Sequence, residues 1–74
     1  MSAGPPFWWK ARDGGRCTTP PMPDGWYAEV WPIADEWAWL VLDRTGRTIT
    51  EGMERSKDAA KIAADAALHA PRRR

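Results

Sequence analysis

The residues of this chain that could take part in catalysis or metal binding are few and scattered. Cys17 has no neighbouring histidine to activate its thiol, and His69 stands alone near the end of the chain. Asp35 and Glu36 are adjacent carboxylates, but no further ligands accompany them at a suitable spacing. The glycine-rich stretch 13–16 lacks the lysine and the following helix of a phosphate-binding loop. We therefore predict that the protein is not an enzyme and that it needs no metal ion or cofactor.

Tryptophan is the residue type that is unusually frequent. The chain has 74 residues, six of which are Trp, while Phe7 and Tyr27 are the only other aromatic residues. A tryptophan buries a large apolar area and carries one N–H group that needs an acceptor. Six tryptophans are more than one small core hides easily, so some are expected at a surface that contacts another molecule.

Length and charge exclude several classes of protein. A chain of 74 residues forms one domain, and 11 Lys and Arg against 10 Asp and Glu give a net charge of +1, unlike a strongly basic nucleic-acid module. One cysteine and one histidine exclude a disulfide scaffold and a Cys/His zinc site. Apolar runs fall short of the ~20 residues of a membrane span. Residues 1–6 lack the pattern of a signal peptide, so we expect a cytoplasmic protein.

The first 24 residues differ in composition from the rest. Five of the seven prolines lie there, which excludes a long helix or a central strand. Between the prolines, Asp13-Gly14 separates two runs with strand-forming residues, a pattern typical of a β-hairpin. Two alternatives remain open for residues 1–24, a short hairpin or a disordered arm.

Three later runs have the residue types of β-strands, namely residues 26–31, 36–42 and 48–53. The second run is apolar nearly throughout, which predicts the central strand of a sheet. Residues 33–35 are expected to connect the first two strands. Residues 43–47 form the next turn, in which Gly46 takes the position that needs a positive φ.

A helix is expected after the third strand. Ser56 is a suitable N-cap, Asp58 lies favourably in the first turn, and Pro71 ends the helix. The intervening residues are rich in alanine, which favours helix and gives it a broad apolar stripe. Small side chains let the helix axis lie close to the sheet, so the bulk of the core must come from the strands.

The predicted fold is of the α+β class. A three-stranded antiparallel sheet is packed by one C-terminal alanine-rich helix (βββα), with an extra N-terminal β-hairpin as one of the two alternatives above. The chain is then divided into an arm or hairpin (1–24), the βββα domain (25–70) and a basic tail (71–74). Because one helix covers only one face of a sheet, the other face is left uncovered.

Alternation along the strands divides the side chains between the two faces. Glu29 marks the side away from the helix in the first strand, and in the second strand we assign the aliphatic set to the helix side. The residues expected to face the helix are Trp26, Ala28, Val30, Ala38, Leu40, Leu42, Ile49 and Met53. The residues expected on the uncovered face are Tyr27, Glu29, Trp31, Trp37, Trp39 and Val41.

The uncovered aromatic face leads to the first functional hypothesis. A large exposed apolar patch on a soluble monomer usually marks a binding surface, and Trp and Tyr are enriched in interface hot spots. We therefore expect a non-enzymatic module that binds a protein partner, or a second copy, through this face. The residues expected at the interface are Tyr27, Trp31, Trp37 and Trp39, with Trp8 and Trp9 as an additional anchor. In the alternative, Phe7, Trp8 and Trp9 fold back and close the face as part of the core.

Binding of DNA or RNA is the second functional hypothesis. Arg44 and Arg47 flank the turn between the second and third strands, and Lys10, Arg12 and Arg16 lie near aromatic residues, an arrangement that can stack bases and hold phosphates. Residues 26–50, however, carry four acidic residues against two arginines, and an acidic sheet repels phosphate. Protein binding is therefore the preferred hypothesis.

Residues 25–70 resemble known families in which three strands precede a helix. Trp26-Tyr27-Ala28-Glu29-Val30 is similar to the W-x-A-E-[IV] strand of plant AP2-type and integrase-arm-type DNA-binding domains, and the alanine pairs 59–60 and 66–67 are similar to their helix. This resemblance implies the βββα fold; those families read DNA with strand arginines, which are almost absent here. With Gly52 ahead of the helix, the pattern also resembles the partial RNase-H-like fold of HicB-type antitoxins.

The short, Trp- and Ala-rich chain as a whole resembles small accessory proteins of phages that infect actinobacteria. Such proteins commonly act by binding a host or phage protein. The resemblance therefore implies a phage-encoded protein whose partner is a host or phage protein, in line with the first hypothesis.

Overall fold

The computed structural model describes residues 9–70. Its elements are β1 (Lys10–Ala11), β2 (Cys17–Thr18), β3 (Tyr27–Ile33), β4 (Glu36–Leu42), β5 (Thr48–Glu54) and α1 (Lys57–Leu68). The strands form one antiparallel sheet in the order β1-β2-β3-β4-β5, and α1 packs across one of its faces. The α+β class, the antiparallel sheet and the C-terminal helix are confirmed. The sheet has five strands instead of three because the N-terminal hairpin joins it.

The N-terminal hairpin is the alternative that the structure adopts for residues 10–18. A short 3-10 turn at Asp13–Gly15 joins β1 to β2, and Gly14 has φ 73°, a conformation that glycine adopts without steric cost. Thr18 of β2 lies opposite Glu29, so the hairpin extends the sheet from β3. Residues 1–8 and 71–74, which include Trp8 and the basic tail, lie outside the described residues.

Two residues, Ala34 and Asp35, form the turn between β3 and β4, one fewer than the sequence indicated. Ile33 lies directly opposite Glu36 as a result. Because side chains alternate along a strand, a turn shorter by one residue moves every side chain of β4 to the other face. Ala34 has φ 54°, so this turn uses a left-handed backbone conformation without a glycine.

The assignment of the β4 side chains to the two faces is therefore wrong. Val41 lies opposite Ala28, and Trp39 lies opposite Val30, which places the odd-numbered residues of β4 on the helix side. The residues that were expected there, Ala38, Leu40 and Leu42, lie on the other face. Trp37 follows the same alternation as Trp39 and packs with it against the helix-side core.

The assignment of Met53 to the helix side is also wrong. Met53 lies opposite Ala38, on the face away from the helix. The register shifts between Val41 and Leu42, which leaves Ile49 without a direct partner on β4 and 43% exposed.

Pro32 lies inside β3, one residue beyond the strand that the sequence predicted for residues 26–31. It pairs in register with Trp37 of β4. On the other side of β3, β2 reaches only Glu29 and Val30, so the edge beside Pro32 has no neighbouring strand. Proline is tolerated there because its missing N–H is not needed for a second ladder.

The core lies between the sheet and α1. Ala28, Val30 and Val41 are fully buried against Ala60 and Ala64 of the helix. The two alanines let the helix axis approach the sheet, and the bulk comes from larger side chains of the strands. The partly buried residues that pack against this core are Met22, Trp26, Trp37, Trp39 and Ala67.

The ends of the elements follow local rules. Ser56 caps α1, its Oγ accepting a hydrogen bond from the N–H of Ala59 at 3.0 Å, as predicted. In the β4–β5 turn, Gly46 has φ 88°, also as predicted.

Among residues 9–70, no helix has the length and hydropathy that crossing a membrane requires.

Asp43 organises the β4–β5 turn. Its Oδ1 accepts hydrogen bonds from Thr45 Oγ1 at 2.6 Å, Thr45 N at 2.9 Å and Arg47 N at 3.1 Å. The hydroxyl of Thr45, together with the two backbone N–H groups and the charge of Arg47, lowers the pKa of the Asp43 carboxyl below its ordinary value. The turn is therefore held by a charged carboxylate.

Candidate functional site

The sheet face away from α1, here called the open face, is the candidate site. No described element packs over it. In β3 to β5 it consists of alternating residues brought together by the register, namely Tyr27, Glu29, Trp31, Ile33, Glu36, Ala38, Leu40, Leu42, Thr48, Glu51 and Met53. Lys10 and Thr18 continue the face onto β1 and β2.

A groove of about 360 Å³ runs along the open face. Its lining side chains from β3 to β5 include Trp31, Ile33, Leu40 and Met53, which are apolar, and one carboxylate, Glu51. Ile33 is 44% exposed and Met53 is 45% exposed. Exposed aliphatic side chains that share a concave surface mark a binding site more often than isolated ones do.

One wall of the groove is the indole of Trp31, which is held by the N-terminal hairpin. The guanidinium of Arg16 lies over the Trp31 ring, 4.5 Å from its centroid. Arg16 Nη1 is 3.9 Å from Glu29 Oε1, and Arg12 Nη1 is 3.7 Å from Glu29 Oε2. Both arginines are largely exposed, so these pairs contribute orientation more than stability.

Of the six predicted interface residues, Tyr27 and Trp31 lie on the open face, half-buried. Trp37 and Trp39 lie on the helix side, where Lys57 Nζ is 5.7 Å from the Trp37 ring centroid and Trp39 Nε1 donates to Glu54 Oε2 at 3.3 Å. Their predicted place on the uncovered face is wrong because of the shorter β3–β4 turn.

Trp9 also belongs to the helix side. It is 8% exposed within the core cluster, and Lys61 Nζ lies 5.7 Å from its ring centroid. Trp9 therefore neither anchors a partner on the open face nor closes that face. Phe7 and Trp8, which shared this prediction, lie outside the described residues.

Sequence reasoning missed Ile33, Leu40 and Met53 as members of the site. The aliphatic residues were assigned to the helix side as a group, although an alanine-lined helix leaves room for large aromatic side chains instead. The signal that could have placed them is the length of the β3–β4 turn. Two turn residues put Leu40 opposite Glu29, the residue that marked the outer side of β3.

The residues predicted for nucleic-acid binding form two separate groups. Arg44 and Arg47 are exposed at the β4–β5 turn, which adjoins the Tyr27 end of β3. Arg16 lies at the opposite end, against Trp31. Arg12, beside it, shares the carboxylate of Glu29, and Lys10 is exposed on β1. The structure does not bring these cations together into one basic surface.

The thiol of Cys17 and the imidazole of His69 lie away from the groove. Cys17 is buried on the helix side, its Sγ 3.9 Å from the carbonyl oxygen of Gly15. His69 Nδ1 lies 2.9 Å from the backbone oxygen of Asp65 and 3.2 Å from its Oδ1. Within residues 9–70 there is no group of three His, Cys, Asp or Glu residues that could hold a metal ion.

Comparison of the chain with protein-family models, with curated proteins and with solved structures gives no match. The resemblances drawn from the sequence therefore stay predictions.

Proposed function

We propose that the protein is a small, non-enzymatic, cytoplasmic module that binds another protein chain through the open face. The observation that carries this proposal is the groove of about 360 Å³ on a sheet face that no described element covers. Its lining combines apolar side chains with one carboxylate, which is the composition of a docking surface.

The distribution of exposed apolar side chains supports the proposal. Within the described residues, the large apolar side chains that are substantially exposed are Ile33, Ile49, Met53 and Ile62. The first three belong to β3 and β5, and two of them line the groove. Burying such side chains against a partner removes apolar area from water, at about 25 cal/mol per Å².

Trp31 with Arg16 is the expected anchor of the interface. Trp, Tyr and Arg are the residue types most enriched in binding hot spots. The Trp31 indole is half-buried and packed under the Arg16 guanidinium, so little side-chain entropy is left to lose on binding. Tyr27 lies four residues away on the same face and extends the aromatic surface.

The non-enzymatic part of the proposal rests on the lining of the groove. Among the described residues that line the groove, Glu51 is the only one with a titratable side chain. A lone carboxylate has no partner with which to share acid and base roles, and Cys17 and His69 lie elsewhere.

Nucleic-acid binding has less support because the cations are divided between two ends of the sheet and Arg12 and Arg16 share Glu29.

The partner is a polypeptide. The resemblance of the chain to small phage accessory proteins supports a host or phage protein as the partner. The charges of the open face support a second copy of the chain as the partner. The proposal that the open face binds protein holds for either partner.

A photo-crosslinking amino acid tests the proposal with a matched control. p-Benzoylphenylalanine is placed at Met53, which is 45% exposed on the open face, or at Ile62, which is 47% exposed on α1. The two positions offer the probe similar exposure on opposite sides of the molecule. Irradiation in the cells that produce the protein is expected to give a discrete protein adduct from position 53 and none from position 62. No adduct at position 53, or equal adducts at both, contradicts the proposal.

A further inference from the structure

We infer that the open face binds a second copy of this chain, in a face-to-face dimer with the two α1 helices on the outside. This inference rests on the proposed function, because it names the protein that the open face binds. It is carried by the charges at the two edges of the open face, which complement each other when one copy faces another.

One row of directly opposed residues crosses the whole sheet. Lys10 of β1 lies opposite Thr18, Thr18 opposite Glu29, Glu29 opposite Leu40, and Leu40 opposite Glu51 of β5. Because β3 is the central strand of five, Lys10 and Glu51 each lie two strands from Glu29, on opposite sides. The row therefore ends in a positive charge at one edge of the sheet and in a negative charge at the other.

A two-fold axis parallel to β3 exchanges these two edges. When two sheets pack face to face about such an axis, β1 of one copy lies over β5 of the other, with the strands roughly aligned as in a β-sandwich. Each dimer then contains two contacts between Lys10 and the Glu51 of the other copy. An axis running across the strands would instead place Lys10 over Lys10, which is repulsive.

The charges of Arg12, Arg16 and Glu36 follow the same division. Arg12 and Arg16 share the single carboxylate of Glu29, which leaves excess positive charge on the hairpin side. Glu36 on β4 is exposed and forms no ion pair with the described residues. In this dimer, β2 of one copy lies over β4 of the other. Glu36 of one copy therefore lies at the end of the sheet where Arg16 of the other copy lies. The two Glu29 carboxylates near the axis are each neutralised by their own arginines.

The middle of the open face supplies the apolar contact. Trp31 and Leu40 lie between the charged edges, and Ile33 and Met53 are the exposed side chains that a second copy would cover. Strands β3, β4 and β5 have seven residues each, whereas β1 and β2 have two each. At about 3.3 Å per residue and a strand spacing of about 4.8 Å, each copy has a face of roughly 400 Å². Two such faces total roughly 800 Å², below the size of standard interfaces, so we expect a weak, transient dimer.

Reciprocal charge reversal tests the arrangement. The association constant of the purified full-length protein is measured by sedimentation equilibrium at low salt, from about 10 µM to about 1 mM. Glu51→Lys and Lys10→Glu, which each put like charges opposite each other twice per dimer, are expected to weaken association by about tenfold. The double variant Lys10→Glu with Glu51→Lys restores complementary charges and is expected to restore association. Asp58→Lys, the same charge change on the outer helix, is the control and is expected to leave association unchanged.

Three results would overturn the inference. They are a wild-type chain that stays monomeric at about 1 mM, a dimer that is insensitive to the single reversals, and single reversals that the double variant does not rescue. Circular dichroism confirms that each variant is folded, which is expected because both side chains are exposed. If the chain is monomeric and a different polypeptide is crosslinked at Met53, the dimer is refuted and the protein-binding function stands. If the chain is monomeric and nothing is crosslinked there, both are refuted.

Discussion

The two faces of the sheet differ in how far the described part of the chain buries their apolar side chains. On the helix side, Val30 and Val41 are fully buried under the alanines of α1. On the open face, Ile33 and Met53 are 44% and 45% exposed, and the described part of the chain places nothing over them. Within residues 9–70 the chain covers only one of its two apolar sheet faces, and we propose that another molecule covers the second.

The tryptophans show why a count of aromatic residues does not measure an exposed surface. Trp9, Trp37 and Trp39 pack on the helix side, and Trp31 lies on the open face. The alanine-lined helix fills little volume, so large indoles are needed beneath it. Aliphatic side chains and Met53 are left to face outwards, and these form most of the apolar groove.

Truncating one apolar side chain on each side of the sheet gives the largest expected contrast. Leu68→Ala removes a side chain that is 2% exposed in the core and is expected to cost about 2–5 kcal/mol of unfolding free energy. Met53→Ala, at 45% exposure, is expected to cost less than about 1 kcal/mol. Urea unfolding followed by far-UV circular dichroism, at a concentration where the chain is monomeric, measures both. Equal losses would show that the open face is as much a part of the core as the helix side.

Placing alanine at two neighbouring positions of β5 probes the two faces at one point of the sheet. A Cβ at Gly52 would lie 2.7 Å from three atoms of the Trp39 indole, which is packed between the sheet and α1. Gly52→Ala is therefore expected to destabilise the fold by about 1–3 kcal/mol. Glu51→Ala, on the open face, is expected to change stability by less than about 0.5 kcal/mol. The same urea experiment compares them, and similar values for the two variants would contradict the placement of the indole.

The smallest effect on stability is expected at the β4–β5 turn, which joins two strands that contribute side chains to both faces. Because the pKa of Asp43 is lower in the folded chain than its ordinary value of 3.8, the charged carboxylate stabilises the fold above that pH. This contribution is lost as the pH falls through the lowered folded pKa. Asp43→Asn is therefore expected to be less stable than the wild type at neutral pH, with a difference that shrinks in acid.

Urea unfolding at several pH values measures this difference. Asp35→Asn is the matched control, because it makes the same substitution at an exposed position of the β3–β4 turn. We expect it to change the stability at neutral pH by less than about 0.5 kcal/mol. A difference for Asp43→Asn that stays constant down to the lowest pH would show that the charge of the carboxylate does not hold the turn.

Features set by neighbouring residues were predictable. The cap at Ser56 and the positive φ of Gly46 were predicted correctly, because each depends on residues a few positions apart. For the N-terminal residues, the structure adopts the hairpin at Asp13-Gly14, one of the two alternatives that the sequence left open. The order of strands followed by one helix was predictable for the same reason. The membership of the hairpin in the sheet was not, because two-residue strands carry almost no periodic signal.

The composition of the candidate site was predictable only for β3. Glu29 marked the outer side of that strand, and Tyr27 and Trp31 followed by alternation. β4 has apolar residues at nearly every position, so its own pattern does not say which side is covered. Its orientation depends on the Ala34-Asp35 turn, which contains neither the glycine nor the asparagine that usually indicates a two-residue hairpin turn.

Residue types and short spacings were sufficient to predict the three long strands, the helix with its N-cap and an apolar surface larger than one alanine-rich helix covers. Which side chains form the open face depends on how the strands pair in three dimensions. Side chains alternate with a period of two, so a single residue in one turn exchanged Trp37 and Trp39 for Ala38 and Leu40. The pairing of five strands then placed Lys10 and Glu51, far apart in the chain, at the two ends of one row.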